Sequence, residues 1–129
     1  MPHTTIEYSR NVAETNDVEA LVDAVHRTVA DLGIAELAGI RTRAAERTCY
    51  RVADGDERFG FIAVRVHMAP GRADDVKREL LERIAEAVDR TAPPSADCIT
   101  AVSVEITEID PVFRLNRNHI RTHLDPATT

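Results

Sequence analysis

The sequence of 129 residues predicts an α/β (α+β) fold: two βαβ units in tandem, forming one four-stranded sheet with two helices on one face. Three observations predict it. Two segments carry apolar residues at helical spacing, four others favour strands, and the order strand, helix, strand repeats after about sixty residues. The length suits one domain over 1–129, with 2–57 as the first unit, 58–110 as the second and 111–129 as a carboxyl-terminal tail. A hydrophobic share of 43% and a charged share of 29% match a packed globular chain and exclude a disordered or fibrous one.

Thr4 to Tyr8 is a short β-prone start, and the turn-rich Ser9 to Asn16 leads into a helix. In that helix Val18, Leu21, Val22, Val25, Val29 and Leu32 recur at steps of three and four. Asn16 and Glu19 form a capping box, and Gly33 suits the position just past the end. Residues 38 to 52 alternate loosely and read as one long or bent strand. It is closed by Ala53-Asp54-Gly55-Asp56, whose Asp-Gly pair is a hairpin signal. From Phe59 to Met68 the alternation is clear: Ile62, Val64, Val66 and Met68 share the core face, and Phe61, Ala63, Arg65 and His67 the other.

After Ala69-Pro70-Gly71-Arg72 a second helix opens with Asp74 and Asp75 in its first turn. It carries Val76, Leu80, Ile84 and Val88 on one stripe and stops before Pro93-Pro94. Ile99 to Thr107 is the last strand, with Val102, Val104 and Ile106 alternating against Ser103 and Glu105. The tail from Phe113 to Leu124 holds Arg114, Arg117, His119, Arg121 and His123 and no acid. Helical crossovers imply parallel strands within each unit. Apolar or small residues on both strand faces make the uncovered face a surface for another subunit.

A net charge of −6 argues against nucleic acid or an anionic membrane as partner and favours a small molecule or a protein. No apolar run reaches the length of a signal core or a membrane span, so the expected location is cytoplasmic. Cys49 and Cys98 fit no metal spacing and read as two reduced thiols. His3, His26, His67, His119 and His123 are scattered, and gly-rich phosphate loops, nucleophile elbows and zinc motifs are absent from the sequence. Lys77 is the single lysine among 16 bases, so an arginine acquires meaning only from its context.

Met1-Pro2-His3 runs directly into the first strand. Removal of Met1 exposes the secondary amine of Pro2, a rigid and nucleophilic base. Burial or a nearby cation lowers an amine's pKa towards neutrality, where it can act as a general base.

Pro2-His3, Ala38-Gly39-Ile40-Arg41-Thr42-Arg43, Ala53-Asp54-Gly55, Gly71-Arg72, and Val102 to Ile106 before Asp110-Pro111 extend over about residues 2 to 121. Together these segments resemble the 5-carboxymethyl-2-hydroxymuconate isomerase family of the tautomerase superfamily. The resemblance implies a tautomerase-like homotrimer with active sites near subunit boundaries and no metal or cofactor. The implied substrate is a small carboxylated dienol of aromatic, homoprotocatechuate-type catabolism. It implies Pro2 as the catalytic base, with Arg41 and Arg72 binding the substrate's carboxylate or 2-oxygen. Two segments depart from the family: Phe61-Ile62-Ala63-Val64 stands where it has a His-Met pair, and Asn116-Arg117-Asn118-His119 in its asparagine-rich end. Two alternatives share parts of this pattern. One is a Pro2-dependent hydratase or decarboxylase of unsaturated acids, with Glu105 or Tyr50 activating water; the other is a non-enzymatic ferredoxin-like ligand-binding domain.

Overall fold

Strand alternation and helical stripes assemble around one core in the computed structural model, which describes residues 2–124. The elements are β1 (His3–Ser9), α1 (Arg10–Thr15), α2 (Val18–Asp31), β2 (Arg41–Arg47), β3 (Phe59–Met68), α3 (Asp74–Thr91) and β4 (Ile99–Glu108). Short 3-10 turns lie at Leu37–Gly39 and Arg121–His123. The sheet order is β2-β1-β3-β4. β1 runs parallel to β2 and β3 parallel to β4, while β1 and β3 meet antiparallel at the centre. The expected tandem βαβ architecture is therefore the observed one. Each unit keeps its two strands side by side, unlike the split units of the ferredoxin-like alternative.

The core follows the predicted periods. Leu21, Val25 and Val29 of α2 and Leu80, Ile84 and Val88 of α3 are buried against Ile6, Ile62, Val64, Val66 and Met68 of the sheet. Both cysteines are free, Cys49 exposed and Cys98 buried, and burial raises the Cys98 thiol pKa. None of the helices among the described residues is long and apolar enough to cross a membrane.

Four local expectations are corrected. Ser9–Asn16 contains the six-residue α1, too short to display an apolar period, with Asn11 and Val12 buried. Asp17, not Asn16, caps α2: its carboxylate accepts from the Ala20 N–H at 3.2 Å, while Asn16 turns back to donate to the Val12 carbonyl. The long strand over 38–52 is only Arg41–Arg47, because Thr48 onwards passes the end of its sole neighbour β1 and has no ladder to join. Asp54-Gly55 does turn, with Ala53 at φ 51° and Gly55 at φ 90°, but makes no hairpin, since β1 lies between β2 and β3.

The second sheet face is a further correction. It is uncovered in the protomer, yet its lining is more polar than apolar: His3, Thr5 and Glu7 stand beside Arg41, Arg43 and Arg47, and Arg65 beside Glu105. Arg47 reaches Glu7 and Arg65 reaches Glu105, each at 2.7 Å. Such exposed pairs are worth about 0 to 1 kcal/mol each and give register more than stability.

Candidate active site

The antiparallel join of β1 and β3 brings the start of β1, the start of β2 and the end of β3 to one rim of the sheet. Pro2 is buried there, immediately before β1. Its carbonyl accepts the Arg41 backbone N–H at 3.2 Å, so the parallel register ties the predicted base and the first predicted arginine together.

Alternation along β1 puts Pro2 with Thr4 and Ile6 on the helix side, and His3 on the open side with its cross-strand partners Arg41 and His67. Arg41 Nη1 lies 3.0 Å from His3 Nε2. A guanidinium only donates, so Nε2 accepts and the ring is the neutral tautomer with its proton on Nδ1. The surroundings favour that form: burial first, then Arg41, Arg114 and Arg43, hold the His3 pKa below its ordinary 6.5. Arg41 Nη2 also reaches Asn116 Oδ1 at 3.5 Å.

Arg72 approaches the same rim from the helix side. Gly71, at φ 112°, makes the turn that aims it. Arg72 Nη1 donates to the Ala69 carbonyl at 3.1 Å and Nη2 to the Ile34 carbonyl at 2.6 Å, joining the loops that follow β3 and α2. Two of five N–H donors are thus used for orientation. The rim gathers Pro2, Arg41 and Arg72; among the described residues Arg41 touches Pro2 through its backbone N–H, and Arg72 bonds neither of the other two.

Sequence reasoning left His3 among unassigned histidines, although its place beside Pro2 and its parity along β1 were legible. It also missed how the tail is fastened. Asn118 Nδ2 donates to the Ala38 carbonyl at 2.8 Å, and Arg121 pairs with Glu36, which folds Arg114 and Asn116 back over the start of β2. No local pattern announces a hydrogen bond between residues 38 and 118.

The groups considered for water activation lie elsewhere. Glu105 is paired with Arg65 in mid-sheet, and Tyr50 packs edge-on against Phe61 with ring centroids 6.0 Å apart, towards the opposite rim. A cleft of about 500 Å³ at that rim is lined by Arg10, Tyr50, Arg51 and Phe59 among others, away from Pro2. His119 and His123 are exposed on the tail.

Comparison with known proteins identifies the family. The family model described as 5-carboxymethyl-2-hydroxymuconate isomerase matches residues 2–124. The 5-carboxymethyl-2-hydroxymuconate Delta-isomerase of Escherichia coli is 29% identical over 121 residues, covering 93% of this chain and 96% of that protein. A 5-carboxymethyl-2-hydroxymuconate isomerase from Deinococcus radiodurans R1 superposes with a TM-score of 0.83 at 28% identity, over 95% of this chain and 92% of that one. A fused 4-OT symmetric trimer shares the fold at 19% identity and a TM-score of 0.66, over 82% of this chain and 84% of that one. With its tandem βαβ sheet and a family match running from Pro2 to the tail, the chain belongs to the 5-carboxymethyl-2-hydroxymuconate isomerase family and is an isomerase of the tautomerase fold.

Proposed function

We propose that this isomerase converts a carboxylated 2-hydroxymuconate-type dienol into its conjugated ketone, with the amine of Pro2 as general base and no cofactor. The observation that carries the reading is the placement of Pro2 next to Arg41, whose backbone N–H bonds the Pro2 carbonyl, at the rim where β3 ends and the Arg72 loop begins. Once Met1 is removed, the Pro2 nitrogen takes the proton of the 2-hydroxyl group. The electron pair moves through the diene, and a proton returns from the prolyl ammonium to the far carbon. No atom is gained or lost, so no external reductant or oxidant is required. Arg41 and Arg72 hold the carboxylate and the developing charge on the 2-oxygen, each with N–H donors left over from its own bonds.

Ultraviolet absorbance with 5-carboxymethyl-2-hydroxymuconate tests the reaction: the dienol band should give way to the enone, and an unchanged spectrum overturns the reading. Arg41→Ala and Arg72→Ala should each lose about 2 to 3 kcal/mol in kcat/KM, because a charge-assisted arm is missing. Arg72→Ala should also lower the melting temperature, since two loop carbonyls lose their donor. Arg58→Ala is the comparison: Arg58 is exposed and bonded to Asp56 at the opposite rim, and its removal should leave activity unchanged. Equal effects of all three would remove the arginines from their assigned roles.

We further infer a homotrimer, acting in the cytoplasm in aromatic catabolism. Val112, Phe113 and Leu115 are 77%, 87% and 83% exposed in the protomer. Apolar exposure of that degree within four consecutive residues of the tail supports burial against a second copy. Light scattering should give about 43 kDa, three chains of 14.3 kDa. A strictly monomeric mass at micromolar concentration overturns it.

A further inference from the structure

We infer that Arg114 is a further substrate-binding residue of this site, gripping the second carboxylate of a dicarboxylic dienol. The inference rests on the functional reading above and extends it to the substrate's far end. Arg114 lies on the tail segment that Asn116 and Asn118 hold against Arg41 and Ala38. Its Nη2 is buried and has no hydrogen-bond partner among the described residues. A buried guanidinium N–H without an acceptor is costly unless something else supplies one, and a carboxylate oxygen is its best-matched acceptor.

The charges around it point the same way. Arg41, Arg43 and Arg114 all lie near enough to His3 to disfavour its protonation. Among the described residues none of these three arginines has a carboxylate within ion-pair distance, whereas Arg10, Arg27, Arg47, Arg58, Arg65 and Arg121 each do. Neutral His3 offers no compensating charge. Three cations gathered without an acid repel one another, and a bound dianion reverses that balance where a monoanion only reduces it. Arg41, adjoining Pro2, takes the end of the substrate that reacts; Arg114, reached through the tail, takes the other.

Turnover of two dienols separates the roles: 2-hydroxymuconate carries a carboxylate at each end, and phenylenolpyruvate replaces the far carboxylate by a ring. Arg114→Gln should raise the KM for 2-hydroxymuconate about thirtyfold with little change in kcat, and leave phenylenolpyruvate unaffected. Arg114→Lys should recover most of the loss, and Arg117→Gln, on an exposed tail arginine, should match the parent. Equal effects on both substrates, or none on either, overturn the assignment. Binding is measured separately by calorimetry with adipate and hexanoate, which need no turnover. The parent should prefer adipate and Arg114→Gln should lose that preference; a parent without the preference, or a variant that keeps it, also overturns the assignment. Failure of the parent to turn over either dienol instead sinks the functional reading, and the calorimetric pair still decides Arg114.

Discussion

Protein whose Pro2 nitrogen is blocked, by retained Met1 or by acylation, is expected to lose more than about a thousandfold in kcat/KM relative to protein beginning at Pro2. In an amide the nitrogen lone pair is delocalised into the carbonyl and cannot take a proton. A free α-amino group has a pKa of about 7.7 to 8.0 in the open chain. Pro2 is buried, and burial disfavours the charged form of an amine. Pro2→Ala keeps a primary amine at the same place and should keep partial activity with a shifted pH profile. Intact mass identifies the amino terminus of each sample, and equal rates for blocked and free protein would exclude Pro2 from the chemistry.

Gly60→Ala should cost about 4 kcal/mol of stability, lowering the melting temperature by roughly 10 to 15 °C. A methyl group built on Gly60 would stand 2.5 Å from Asn11 Oδ1 and 2.6 Å from Ser9 Oγ. Neither oxygen can step aside cheaply. Ser9 Oγ accepts the Phe61 N–H at 2.8 Å and donates to Asn11 Oδ1 at 2.6 Å, while Asn11 Nδ2 donates to the Phe59 carbonyl at 2.9 Å. Relieving the clash therefore breaks a buried polar lock between the end of β1 and the start of β3. Thermal unfolding followed by circular dichroism measures the loss; a shift under about 2 °C would mean that the lock yields without cost.

That lock also illustrates what could be read from residue order. β3 and α3 were legible because each buries one face against a continuous core, so the residues from Ile62 to Met68 and from Leu80 to Val88 repeat a period. Ser9-Arg10-Asn11 looked like a turn because its stability comes from bonds to Phe59 and Phe61, about fifty residues away. Thr48 to Val52 looked like strand because β propensity is local, whereas a ladder needs a neighbour. At the candidate site, Pro2, Arg41 and Arg72 were singled out through the family pattern, and the fold brings all three to one rim. Arg114 was hidden among many arginines, and it stands out only once the fold buries its Nη2 and the Asn118–Ala38 contact brings the tail back.

The antiparallel meeting of β1 and β3 relates the two βαβ units by an approximate twofold axis through the sheet, exchanging the Pro2 rim with the rim where β3 begins. The position that corresponds to Pro2 in the second unit is Arg58, just before β3. An interior peptide nitrogen can never become an amine, however similar its surroundings. On the proposed chemistry, the duplicated architecture is thus doubled in shape but single in reactive groups, with Pro2 the one amine. The proposed trimer would then hold three such centres, not six, and the cleft beside Arg10, Tyr50 and Arg51 lies at the rim that corresponds to the Pro2 rim in the second unit.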